Sequence, residues 1–391
     1  MPDTGSTLNA PRAPTNLAPR QRVPLLLLGF VALLAGTAAG LVRLGWALPD
    51  AAGAIAALHG PLMICGFFGV VISLERAVAL ARLWAYGAPL CAGLGTLALL
   101  GGLQRAAPWF FVAGGVVLGA ASLVIVRRQR ALFTCTLALG ALAWLAGSTR
   151  WALGFTVPEV VPWWLAFLVL TIAGERLELS RFLPPSAAAT RVFAGLLVAC
   201  IAGLAGGTHG VRWGGALFAL SLLGLALWLL RQDVARRTVR SKGLTRFIAV
   251  ALLSGYFWLA VAGGVALASG GFHPGSAAYD AALHALLLGF VFSMVFGHAP
   301  IILPAVLRVN LPYHRSFYAP LALLHASLLA RLGGDAFGSF DALRGGGMLH
   351  AVALLGFIGS SGFAVWRGRQ EQRQRRNPET DKAETPAALA E

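Results

Sequence analysis

Charge is scarce in this chain. Asp, Glu, Lys and Arg make up 12% of its 391 residues, and the acids number only 15. A soluble protein of this size needs far more polar surface, so that class is excluded. Cysteine is nearly absent as well: Cys65, Cys91, Cys135 and Cys200 lie singly in apolar runs with no CxxC spacing, and neither a disulfide framework nor a zinc site follows. No segment alternates apolar and polar residues as a half-buried strand would. The first apolar run has no A-x-A-like cleavage site, so it reads as a retained span and not as a signal peptide.

What remains is apolar. Hydrophobic residues make up 58% of the chain, the mean hydropathy is +0.74, and there are 48 glycines, which let membrane helices approach closely. Apolar stretches long enough to cross a bilayer fall near 23–46, 54–78, 83–103, 108–126, 131–150, 160–180, 190–207, 211–231, 245–269, 279–303, 316–331 and 345–367. Lipid demands that every backbone polar group be satisfied internally, so the expected fold is all-α: a polytopic membrane bundle of about twelve transmembrane helices. It is flanked by polar tails, 1–22 and 368–391, expected to be disordered.

The net charge of +16 resembles a nucleic-acid signal until the positions are read. On the span map, Arg43, Arg105, Arg150, Arg212, Arg331 and Arg344 fall on one side of the membrane, and every other basic residue falls on the side of the N-terminus. The arginines therefore orient the chain, with both termini cytoplasmic; the partner they imply is the lipid bilayer and not nucleic acid. The basic stretch from Arg231 to Arg246 is placed to touch anionic lipid.

A short pattern recurs every fourth helix. Gly66-Phe67…Glu75, Ala166-Phe167…Glu175 and Gly289-Phe290…His298 each place a polar group at the same interval after a small-residue–Phe pair, in spans two, six and ten. Three repeats of four helices would account for it.

Four histidines share one depth. His59, His284, His325 and His350, in spans two, ten, eleven and twelve, lie roughly 7–9 Å inside the outer boundary at a rise of about 1.5 Å per residue. A lone intramembrane histidine is most often a hydrogen bond between helices. Several at one level read as a ligand set for haem or a metal, because imidazole is a common metal ligand. His59 and His284 suit an axial pair, with Gly60 and Gly289 leaving room for a flat macrocycle. His325 and His350 would ligate a second group, orient the first pair, or pack. His298 faces nearly the same side as His284 but about 21 Å further along the helix. There Pro300 and Pro304 are expected to kink or end the span, and the roles open to His298 are a metal ligand, a conformational or proton-transfer group, or a helix-end histidine bonding the freed carbonyls. Glu75, Arg76, Glu175, Arg176 and Glu178 form an inner layer, read as an interfacial ion-pair belt or as a proton entry or gate.

Twelve helices, a three-by-four pattern and histidines in spans two and ten resemble the catalytic subunit of haem-copper oxidases. That resemblance implies three arcs of helices around haem held near the outer side, with His59 and His284 as low-spin haem ligands. The family's copper ligands lie in spans six and seven, where this chain has no histidine, and its His-x-His pair is replaced by the wide His284…His298 interval. The run Leu283-His284-Ala285-Leu286-Leu287-Leu288-Gly289 with the later Gly297-His298 is similar to elements of the NnrS family, twelve-span haem- and copper-associated proteins linked to nitric oxide responses in bacteria. The Gly-His interval is shorter here, and Ala299-Pro300 stands where that family has Thr-Gly.

These resemblances imply a bacterial inner-membrane protein holding haem, b-type, with room for copper as a further cofactor. Nitric oxide or respiratory-chain proteins would be its partners. A secondary transporter of a metal or small anion, and an assembly factor for a respiratory oxidase, are the other readings. Whether the chain is an enzyme is left open.

Overall fold

The computed structural model of the protein describes residues 16–48, 55–180 and 184–376. Its described residues are helical with no strand, as the apolar composition requires. In chain order the long helices are α1 (Pro19–Arg43), α2 (Ala56–Leu80), α3 (Leu83–Leu100), α4 (Ala107–Arg128), α5 (Leu132–Ala152) and α6 (Val157–Leu179). They continue with α7 (Ala187–Thr208), α8 (Gly214–Gln232), α9 (Gly243–Ala268), α10 (Ala277–Leu307), α11 (Tyr318–Phe337) and α12 (Phe340–Arg376).

Eleven of these are long and apolar enough to cross a membrane. The twelfth expected span, α11, is also a helix, but His325, Arg331 and Asp335 lower its hydropathy. It turns at Gly338, whose φ of 66° is a left-handed value natural to glycine, and packs back along α12 as a hairpin. The expected tails fall mostly outside the described residues; within them, α1 already begins at Pro19 and α12 runs on to Arg376.

Helices α2, α6 and α10 form the centre of the bundle, each touching the other two. Their apolar windows are 72%, 72% and 61% buried, against 28–56% for the other spans. These are the three helices that carry the recurring small-residue–Phe pattern. The glycines of the pattern serve close packing on outer helices: a Cβ on Gly66 would meet Ala32 of α1 and Thr96 of α3 at 2.7 Å, and one on Gly289 would meet Trp258 of α9, so Gly289 leaves no room for the flat macrocycle expected beside it.

Two of the three are not regular. α2 winds as a π-helix over Leu62–Phe68 and α10 over Ala285–Phe292, both directly beyond the histidines of those helices. In α2 the π segment follows Pro61, whose missing N–H interrupts the ordinary ladder. π turns concentrate at functional sites. The two segments face each other: the rings of Phe67 and Phe292 stack at 5.8 Å and 4°, and Phe68 tilts against Phe292 at 5.2 Å. The matching segment of α6 is an ordinary α-helix whose Phe167 stacks on Trp144 at 5.3 Å.

The prolines of α10 do not end it. The helix continues through Pro300 and Pro304 to Leu307 and stops at Arg308, which takes a left-handed φ of 52°. Membrane helices tolerate interior prolines where the surrounding bundle satisfies the freed backbone groups, and here the span passes both without ending.

Candidate functional site

A cavity of about 790 Å³ lies at the arginine-poor end of the bundle, between α1, α2, α6, α10, α11 and α12. That size is typical of a small-molecule site, about 300–1,000 Å³. His59, His284 and His350 line it, and the paired rings of Phe68 and Phe292 belong to its lining as well. The residues of the loop before α10, Pro274 to Ser276, bring the cavity to the end of the bundle.

Two of the three imidazoles are held the same way. The Nδ1 of His59 is 2.7 Å from the carbonyl oxygen of Gly36 on α1. The Nδ1 of His284 is 2.8 Å from the carbonyl oxygen of Asp280, one turn earlier on α10. A carbonyl only accepts, so each Nδ1 carries the proton and donates, and each Nε2 keeps its lone pair. Neither Nε2 has a hydrogen-bond partner among the described residues. This is how metal-binding histidines are commonly oriented: one ring nitrogen donates to a fixed oxygen while the other is presented to the ligand.

Sequence places glycine where the first of these contacts needs it. A Cβ on Gly40 would stand 2.9 Å from both Cε1 and Nδ1 of the His59 ring. α1 can therefore lie against His59 only if that position is glycine.

His284 is held more elaborately. Its Nδ1 also lies 3.3 Å from the Asp280 carboxylate, which in turn accepts two hydrogen bonds from Arg331 on α11, both of 2.9 Å. Arg331 is only 6% exposed, and the bidentate pair neutralises its charge within the cavity wall. His350, on α12, is buried at 5% exposure, and its Nε2 has no partner among the described residues.

His325 sits apart. It is not in the cavity wall but stacks beside Trp258 of α9, whose indole N–H donates to its Nδ1 at 3.0 Å. Nδ1 is thus an acceptor, and the neutral ring carries its proton on Nε2. So three histidines of the predicted layer converge and the fourth packs between helices.

His298 is likewise outside the cavity. Its Nε2 lies 3.4 Å from Nη1 of Arg176, and Arg176 belongs to a buried cluster at the arginine-rich end. The guanidinium of Arg176 donates to both carboxylate oxygens of Asp233, at 2.7 and 3.0 Å. Asp233 also accepts from the Tyr256 hydroxyl at 2.8 Å and from the backbone N–H of Ala235 at 2.7 Å. In the ion-pair belt expected there, Arg76 stands 3.8 Å from Glu175, while Arg176 takes Asp233 instead of a glutamate.

Sequence reasoning passed over Asp233, Tyr256, Asp280, Asp335 and Tyr279, and read Arg43 and Arg331 only as topology signals. One signal was available: Asp280 and His284 are four residues apart in an apolar span, hence on one helical face. Asp233 gave another, as a lone acid among Arg231, Arg236, Arg237 and Arg240. Among the described residues, no group of three or more His, Cys, Asp or Glu is arranged to hold a metal ion. Two open imidazoles over an aromatic surface fit the axial ligation of a haem, which needs no third protein ligand.

No solved structure matches the chain. Over 85 residues it is 38% identical to the Heme A synthases of two strains of Methylorubrum extorquens. The aligned stretch covers 21% of this chain and 22% of those proteins, so the chain spans about a fifth of the length of these curated relatives. Its family is matched far more fully: the chain belongs to the family described as Domain of unknown function (DUF8744), which matches residues 22–366.

Proposed function

We propose that this is an integral-membrane haem protein in which His59 and His284 are the axial ligands, held in a cavity on the outer side of a bacterial inner membrane. The observation that carries the reading is the shared state of the two rings. Each donates Nδ1–H to a backbone carbonyl, and each leaves Nε2 unpartnered in one cavity. The haem would be held non-covalently, since no C-x-x-C-H run exists for c-type attachment, and b-type is the form proposed. His350 would face the bound group as a hydrogen-bonding residue. The partial likeness to Heme A synthase supports haem handling. The similarity of Leu283–Gly289 and Gly297-His298 to NnrS proteins supports a role in nitric oxide response or respiratory metabolism, and the arginine distribution supports cytoplasmic termini.

The test is the absorption spectrum of detergent-purified protein, oxidised and dithionite-reduced, with iron and copper quantified on the same sample. A Soret band with sharp reduced α and β bands, lost in His59→Ala and in His284→Ala, is the expected result. A featureless spectrum from haem-replete cells would refute the reading.

A second reading, favoured by the same Heme A synthase stretch, is that the cavity holds haem in transit to a respiratory oxidase. Haem that leaves the purified protein for an apo-acceptor within minutes would select transit over residence.

A further inference from the structure

We infer that Arg43, at the end of α1, is the anchor for an acid group on the ligand of this cavity, a carboxylate borne by a planar apolar macrocycle. The inference rests on the haem reading of the same site and names the part of the ligand that the histidines do not touch.

Arg43 lines the cavity and lies within electrostatic reach of both His59 and Tyr279. The other cavity arginine, Arg331, is already committed to Asp280 through two hydrogen bonds. Arg43 is not: no carboxylate among the described residues pairs with it, and no hydrogen bond engages its guanidinium. An exposed arginine closing a helix needs no partner, since the helix C-terminus favours a cation there. What distinguishes Arg43 is where it stands.

Its height follows from helix geometry. Gly40 abuts the His59 ring, and Arg43 is three residues further toward the end of α1, about 4.5 Å along the axis. On α10, Tyr279 precedes His284 by five residues, about 7.5 Å toward the same end. Arg43 and Tyr279 therefore form a polar layer one to one and a half turns above the imidazoles. Phe68 and Phe292, in the π segments beyond His59 and His284, lie on the opposite side of that layer.

The cavity is thus graded along its axis, from aromatic surface through imidazoles to a layer with a phenol and a guanidinium that has no partner among the described residues. A ligand that matches the gradient is flat and apolar, coordinates at the middle layer, and extends a short acid arm to the mouth. A guanidinium offers a carboxylate two parallel donors, which an ammonium cannot.

Metal-free porphyrin separates this contact from histidine ligation. Full-length protein purified without haem is titrated with protoporphyrin IX and with its dimethyl ester, following porphyrin fluorescence in zwitterionic detergent. The wild type is expected to bind the diacid more tightly than the ester. Arg43→Gln should weaken diacid binding by about tenfold or more, leave ester binding unchanged, and so abolish the preference. Arg43→Lys should restore it in part. His59→Ala and His284→Ala should keep the preference, because free-base porphyrin has no iron for them to ligate.

If haem binds in a His59- and His284-dependent way but Arg43→Gln still prefers the diacid, the anchoring role is overturned and the haem reading stands. The anchoring role is overturned equally if phosphatidylglycerol, and not the diacid, is what Arg43→Gln ceases to bind. If the wild type binds neither porphyrin nor haem, both readings fall together.

Discussion

The carbonyl oxygen of Gly36 and Nδ1 of His59 stand 2.7 Å apart, joining α1 to α2 and deciding which nitrogen of the imidazole is free. A histidine held only by packing would sample both tautomers and several ring angles. Here the proton is pinned toward α1, and Nε2 is left to the cavity. The Asp280 carbonyl does the same for His284 from within α10. On the proposed haem reading, the rings would meet the ligand with their lone pairs already presented, and little orientational freedom would remain to be lost on binding.

Gly40 is the first residue to change. A Cβ there meets His59 at 2.9 Å, and the branched side chain of Gly40→Val would push the ring off the Gly36 carbonyl. If His59 ligates haem as proposed, haem affinity is expected to fall by about 10–100-fold, the usual cost of disturbing the group that orients a ligating histidine. Spectral titration measures this, and unaltered thermal unfolding would show that the bundle still folds.

Loss of Arg331 should be felt at His284. Arg331→Gln removes both hydrogen bonds to Asp280 and leaves that carboxylate beside the imidazole without its cation. Asp280 is partly open, with 32% of its side chain exposed, so the stability cost is expected at about 1–3 kcal/mol. The same substitution should strengthen the pull of Asp280 on the Nδ1 proton and, on the proposed ligation, shift the haem midpoint potential downward. Redox titration of the variant reads that shift; an unmoved potential would separate Asp280 from the ligand field.

The histidines divide into two sets under alanine substitution. On the haem reading, His350→Ala should perturb the spectrum or the ligand-binding rate, since its buried Nε2 has no partner among the described residues and its residue lines the cavity. His325→Ala should leave the spectrum unchanged and cost about 1–3 kcal/mol, because the buried indole N–H of Trp258 loses its acceptor. A spectrum altered by His325→Ala and not by His350→Ala would reverse the assignment.

At the opposite end, Arg176 and Asp233 are 5% and 2% exposed, and breaking a buried pair strands a charge. Asp233→Ala is expected to destabilise the protein by about 3–5 kcal/mol. Tyr256→Phe, which removes one hydrogen bond to the same carboxylate, should cost about 1–3 kcal/mol. Thermal unfolding in detergent measures both, and the double variant should cost less than the sum because both residues act through one carboxylate.

Much of this architecture is one-dimensional and legible in the residue order. Apolar run lengths located the long helices, and the small-residue–Phe pattern marked the three that lie at the centre. The depth of each histidine followed from residue counting along a helix of known rise. α11 formed where it was expected even though His325, Arg331 and Asp335 weaken its apolar signal, because it packs along α12. The π segments were not legible: an extra residue in a turn depends on how neighbouring helices accept the displaced backbone, not on composition.

Sequence alone therefore determined an all-helical membrane bundle, together with the expected depths of the histidines and of the inner charged residues. Azimuth was decided only by tertiary structure. Whether a side chain at a given depth faces a cavity or a neighbouring helix depends on how helices far apart in the chain rotate against each other. His59 turns to Gly36, His325 to Trp258, and Arg176 to Asp233, across 23, 67 and 57 residues. The partner groups of those contacts fixed the tautomers, and the tautomers separated two histidines with open nitrogens in the cavity from one spent on helix packing.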